Sequence, residues 1–234
     1  MVQTSDSGWI QYFRANSADP LLPWDDGYRL TGAERAVVLP SIQQFQLGEN
    51  AQGRRLMDRA QVLGCDYLEA LRFFVREEQR HSAILGRFLA IEGARCLRRH
   101  WVHGAFHAIR GLAGVELCMR VLATAEVVAI PYYTALREAT GSPLLRAICT
   151  RILEEERAHL HFQSFTFARL ASGWVPVRQA VRELHRWFLL ATTLLVWLEH
   201  RFVFLAGGYS MERLLRHCLA EYEALTGDWR LFAP

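Results

Sequence analysis

Two short runs constrain this chain more than anything else in it. Glu77-Glu78-Gln79-Arg80-His81 and Glu155-Glu156-Arg157-Ala158-His159 each contain Glu-x-x-His, and the pattern occurs nowhere else in the 234 residues. Residues three apart on a helix share a face, so each Glu and its His can reach one point in space. Each run has a distant companion: Glu49 lies 29 residues before Glu78, and Glu126 lies 30 before Glu156. The midpoints fall at Leu63/Gly64 and at Gly141, inside the turn signals Leu-Gly-Cys-Asp and Thr-Gly-Ser-Pro. Folding each half back at its glycine gives two antiparallel hairpins. Each lone Glu then lies level with its own Glu-x-x-His, about 22 Å from the turn at ~1.5 Å per residue. Two packed hairpins collect four carboxylates and two imidazoles at one level of a four-helix bundle.

The neighbours of these acids are apolar. Ile42, Phe45, Gly53 and Leu56 share a face with Glu49, and Leu71, Phe74, Leu85 and Phe88 share one with Glu78. Met119, Leu122, Ala129 and Tyr133 flank Glu126, and Cys149, Ile152 and Phe167 flank Glu156. Such stripes face a core. Four buried carboxylates without cations are prohibitively costly, and a pair of divalent metals removes that cost.

At this point the chain resembles the ferritin-like di-iron carboxylate proteins, whose sites take one Glu from each of two helices and Glu-x-x-His from each of two more. The resemblance covers roughly residues 35–170. The run Glu77–His81 is similar to the acidic-Glu-x-Arg-His form of the bacterial di-iron oxygenases, whereas Ala158 stands where that branch often has Arg. The resemblance implies Glu49, Glu78, His81, Glu126, Glu156 and His159 as metal ligands and catalytic centre. It implies two iron ions, or manganese with iron, O2 as co-substrate, a small organic substrate and an electron-donor protein. It also implies that Glu77 and Glu155 hold the histidines of the opposite hairpin, Glu77 with His159 and Glu155 with His81, by the ring N–H that faces away from the metal.

Within that group several branches fit poorly. Leu85 stands where the radical-generating subunit of ribonucleotide reductase carries Tyr, and Ile152 where the arylamine N-oxygenases add a His. The paired Cys-x-x-Cys of many rubrerythrins is absent, and an Arg-rich chain of net charge +3 does not match an acidic mineral store. The expected function is an O2-dependent oxidase or oxygenase acting on a small, apolar molecule. Small and apolar neighbours of the ligands (Gly48, Ala51, Gly53, Ala125, Ala129, Ile130) leave room for it. A rubrerythrin-like peroxidase, an iron-storage protein and a metal-free interaction module are the alternatives.

The remaining expectations concern organisation. The fold class is all-α: a ferritin-like four-helix bundle with an added fifth helix and a short terminal one. Residues 1–32 form an arm packed on the bundle, 33–174 the bundle, and 175–234 further helices of the same domain. The first bundle helix begins at the Thr31-Gly-Ala-Glu34 capping pattern and runs to about Leu63. The second spans about Asp66–Ile91. The third reaches Ala139 with Pro131 inside it, and the fourth runs from Pro143 to about Ala171. In 177–206 the unbroken apolar run Trp187–Leu198 is shorter than the ~20 residues a membrane span needs. It reads as a buried helix or a homodimer interface, without stable membrane insertion. All the basic residues are Arg and none forms a block, which argues against nucleic acid. Five scattered cysteines without Cys-x-x-Cys suit free thiols in a cytoplasmic protein, and the opening residues do not read as a signal peptide. His100, His103 and His107 share a helical spacing that zinc could use with Cys96. Surface or inter-helix positions are expected instead, and Glu199 and His200 are expected as core or interface residues.

Overall fold

The computed structural model describes residues 3–50, 53–101, 104, 114–171 and 174–227. All regular structure among them is helical. The elements are α1 (Asp6–Ala15), α2 (Gly32–Glu49), α3 (Arg54–Ala60), a single 3₁₀ turn (Gln61–Leu63), α4 (Cys65–Ile91), α5 (Val115–Glu138), α6 (Pro143–Leu170), α7 (Val175–Ala206) and α8 (Met211–Gly227). His103, His107, Ala51 and Gly173 lie outside the described residues.

The helix starts are chemically marked. Thr31 caps α2, accepting from the Glu34 N–H at 3.2 Å, while Glu34 returns a carboxylate to the Thr31 N–H at 2.8 Å. The other Glu34 oxygen accepts from the Gly141 N–H at 2.7 Å and from Thr140 at 3.1 Å. One side chain thus ties the start of α2 to the turn between α5 and α6. Burial opposes its ionisation, but these donors hold the Glu34 carboxyl down at about 2. Ser142 caps α6, and Pro143 sits in its first turn, where the missing N–H costs nothing.

Register follows from cross-helix contacts. Arg35 meets Glu92 at 2.6 Å, and Gln46 donates to Ser82 Oγ at 2.9 Å. Residue numbers rise along α2 as they fall along α4, so the pair is antiparallel and Glu49 lies level with Glu78. The helix α5 packs along α6, α4 lies against α6, and α7 closes over α5 and α2. The core between them is fully apolar at Ile42, Leu85, Val127, Ile148 and Leu189.

Three features differ from the sequence expectation. The first bundle helix does not run to Leu63: α2 stops at Glu49, and the chain resumes as α3 after Gly53, whose φ is +63°. A Cβ on Gly53 would lie 2.8 Å from both Val75 methyls, so the break is pinned against α4. The arm contains a helix that the sequence expectation did not name. Ser5 caps α1, and Trp9 and Phe13 bury themselves against Phe74 and Phe162. Finally, α7 is neither wholly buried nor short of apolar length. By length and composition alone it could cross a membrane, with 33% of its most apolar window buried. Leu189, Thr193, His200 and Phe204 face inward, while Leu184, Trp187, Leu198 and Phe202 are exposed.

Candidate metal centre

Six of the side chains singled out from sequence converge in the bundle interior. Glu49 and Glu126 come from α2 and α5, Glu78 and His81 from α4, and Glu156 and His159 from α6. All six are buried, His81, Glu156 and His159 completely. Donor atoms of Glu49, Glu78, His81 and Glu156 lie within 4.8 Å of one another, as do those of Glu78, Glu126, Glu156 and His159. The two groups share Glu78 and Glu156. Such a buried Glu/His cluster can hold a metal ion.

Each imidazole is oriented from the opposite half of the chain. His81 Nε2 donates to Glu155 at 2.6 Å, and His159 Nε2 donates to Glu77 at 3.0 Å. In both rings Nδ1 is thereby turned toward the cluster. His81 Nδ1 is 3.3 Å from Glu156, and His159 Nδ1 is 2.9 Å from Glu78. Fixing one ring nitrogen by a carboxylate and offering the other is how a metal-binding His is held.

Sequence reasoning missed the support behind these acids. Arg80 reaches Glu155 at 2.5 Å and Glu77 at 3.4 Å, and also donates to the Asn16 carbonyl at the end of α1 at 3.0 Å. Arg151 reaches Glu155 at 2.5 Å. Its signal was the i, i+4 spacing to Glu155. Gln163 donates to Glu126 at 3.3 Å, one turn beyond His159. Tyr133 donates to Glu49 at 2.8 Å. Phe74 packs edge-on against His159 at 4.5 Å between ring centroids.

The electrostatics are those of a cation site balanced by protons. Burial, then the charges of Glu78 and Glu156, push the Glu49 carboxyl well up. Burial, Glu156 and Glu78 do the same to Glu126. Burial opposes a charge on His81, but hydrogen bonds to Glu155 and Glu156 win and raise it to about 10. His159 is raised likewise, by Glu126, Glu156 and Glu77 against its burial. Glu156 stays well below the ordinary carboxylate range because Glu126 and both histidines bond to it. The Glu155 carboxyl is held at about 2 by His81 and the two arginines, again against burial. Protonated imidazoles and protonated acids thus neutralise the cluster where cations would otherwise do so.

Among the described residues nine buried side-chain nitrogen or oxygen atoms lack a hydrogen-bond partner, and three of them, Glu78 Oε1, His81 Nδ1 and Glu156 Oε1, belong to the cluster. Buried polar atoms are normally satisfied, and a metal ion is one partner that these three could share. Carboxylate oxygen and imidazole nitrogen suit iron, manganese or zinc.

The cluster opens on one side. A cavity of about 620 Å³ is bounded by Glu49, Glu78 and Glu126 at one end and by Phe45, Leu122 and Val196 along its walls. Asn50, Gly53, Arg54 and Arg55, at the break after Glu49, are among its lining residues. The other histidines play separate parts. His100 sits 3.8 Å from Glu199. His200 pairs with Ser41 at 2.8 Å, and Ser41 with Tyr132 at 2.9 Å. None of the five cysteines forms a disulfide; Cys65 and Cys96 are exposed and the other three buried.

Compared with models of protein families, with curated proteins and with solved structures, the chain matches none.

Proposed function

We propose that this chain is a ferritin-like, non-haem di-metal oxidoreductase that uses O2 to oxidise a small organic molecule. One observation carries the reading: two overlapping four-residue donor groups share Glu78 and Glu156 and border a cavity of ligand size. Together the two groups would hold a pair of ions, with Glu78 and Glu156 common to both. Glu49 and His81 would complete one position, Glu126 and His159 the other. When bound, two iron ions, or manganese with iron, would supply the one-electron steps that O2 reduction requires.

The protein's own residues account for the rest. Glu77 and Glu155 keep both imidazoles in the tautomer that presents Nδ1 inward. Tyr133 and Gln163 fix the two outer carboxylates by hydrogen bonds. Phe45, Phe74 and Leu122 exclude water from the cavity. Tyr133 O–H, bonded to Glu49, is placed to deliver or receive a proton at Glu49 Oε1. The largely apolar cavity supports an enzyme with an organic substrate over an iron store. An electron-donor protein and a homodimer belong to the same proposal.

The test is metal content and O2 reactivity after anaerobic loading with ferrous iron. Wild type is expected to retain two ions per chain and to give a transient visible absorbance on mixing with O2. Glu78→Ala and Glu156→Ala are expected to lose both, with helix content checked by circular dichroism. Metal retained in both variants, or never bound by the folded wild type, sinks the reading.

A further inference from the structure

The cavity is not uniform from end to end. Three carboxylates border it on the cluster side, Phe45, Leu56, Val121, Val128 and Val196 supply apolar wall, and Arg54 and Arg55 also line it. These two arginines stand at the start of α3, immediately after the break that follows Glu49. Both are exposed, and neither has an acidic or hydrogen-bonding partner among the described residues. Arg14, Arg35, Arg80, Arg120, Arg151 and Arg169 each meet a carboxylate. Other exposed arginines, such as Arg98 and Arg99, have no such partner among the described residues, but Arg54 and Arg55 are the two that line the cavity. Gly53 keeps them there, since its left-handed backbone lies against Val75 with no room for a side chain.

We propose that the cavity takes an amphipathic anion, an apolar body carrying a carboxylate or phosphate head that Arg54 and Arg55 recognise. Guanidinium groups bind both heads through paired N–H donors. The charge pattern also sets the orientation. Arg54 and Arg55 are the cations that line the cavity near its opening segment, so the head stays at the arginines and the apolar body lies along Phe45, Val121, Val128 and Val196 toward the carboxylate cluster. The group offered for oxidation is then a carbon remote from the head, not the head itself. This substrate class rests on the di-metal reading for its chemistry, but binding of the anion needs no metal and is scored separately.

The experiment is equilibrium binding of dodecanoate, dodecyl phosphate and dodecanol to metal-free protein, followed by intrinsic tryptophan fluorescence below micelle-forming concentrations. Wild type is expected to bind at least one of the two anions tenfold or more tighter than the alcohol; the better anion identifies the head. Arg54→Gln with Arg55→Gln is expected to bring anion and alcohol within about twofold of each other. Both residues are exposed, so this variant keeps the fold, which its helix content verifies. Equal binding of all three by wild type, binding of none, or an anion preference that survives the double substitution overturns the proposal. Loss of the metal reading would leave the head-group preference intact. Conversely, a metal-binding protein indifferent to the head would retain its two ions and fail only here.

Discussion

The two halves of the site are built to one plan and finished differently. In the second half, α5 runs unbroken past Glu126, through Pro131, to Glu138. In the first half, α2 stops at Glu49, and α3 starts at Arg54 after four intervening residues, the last of them Gly53. The supporting charges are unequal as well. Glu155, which holds His81, is gripped by Arg80 and Arg151, both at 2.5 Å, whereas Glu77, which holds His159, has Arg80 alone at 3.4 Å. The continuous half gives the cluster a wall, and the interrupted half gives it a door. A repeated plan supplies matched donors, and departures from the repeat decide where anything else can enter.

The largest expected effect tests the unequal grip. Glu155→Ala leaves two arginines and a buried imidazole without their acid and should cost about 3–5 kcal/mol of unfolding free energy. Glu77→Ala removes fewer partners and should cost about 1–3 kcal/mol. Urea denaturation of the two variants measures both, and equal losses would erase the asymmetry. Next is the door. Gly53→Ala forces a side chain into a left-handed backbone and against Val75, at about 2–4 kcal/mol. The urea midpoint reads this, and a cost under about 0.5 kcal/mol would mean that the break is not pinned there.

A third prediction compares the histidines that α7 sends to each half. His200 meets Ser41 of α2, and His185 meets Thr124 and Arg120 of α5. Burial depresses both, His200 to about 3 and His185 to about 4, with His100 and Arg120 adding their charge. The unfolded chain therefore binds protons first as pH falls below about 6.5. Stability held above that pH is lost progressively down to the folded values. Between pH 6.5 and 5 each should cost about 2 kcal/mol. His200→Gln and His185→Gln should each flatten the acid limb of stability against pH, and an unchanged limb in either contradicts the assignment. The smallest effect belongs to Tyr133→Phe, which removes one bond to Glu49 and should cost about 1 kcal/mol. Bound metal would weaken less than tenfold, read by competition with a chelator.

Sequence was most informative where chemistry and period coincide. A single carboxylate on an apolar stripe is a weak signal, but four of them are costly to bury together, so Glu49, Glu78, Glu126 and Glu156 were readable as a set. Matched spacing then placed each beside its partner. The break after Glu49 was not read because Leu56 continues the apolar spacing across it; Gly48, Asn50 and Gly53 were the available warning. The helix α1 hid behind its shortness, although Ser5 as cap and Trp9 with Phe13 at i, i+4 spacing mark it. Gln163 was not readable as a support, and the i, i+4 spacing of Arg151 to Glu155 was easily passed over, because a polar residue on a long helix is ordinarily a solvated one. Only the assembled bundle turns them inward. The outward apolar face of α7 was misjudged by counting the uninterrupted run, where the stripe continues past Glu199 and Arg201 to Phe202 and Leu205.

Arg80 holds a consequence for motion. Its guanidinium joins Glu77, Glu155 and the carbonyl of Asn16, so the end of the first helix is bonded to the same charge that steadies both imidazole holders. Peeling α1 away would strip Phe13 from Phe74 and Phe162 and admit water beside His159 in one step. A ten-residue N-terminal helix ordinarily frays, and its amides exchange with solvent early. Here the amides of Trp9 to Phe13 should exchange with deuterium on the slow timescale of α4 around Arg80, because the two segments can open only together.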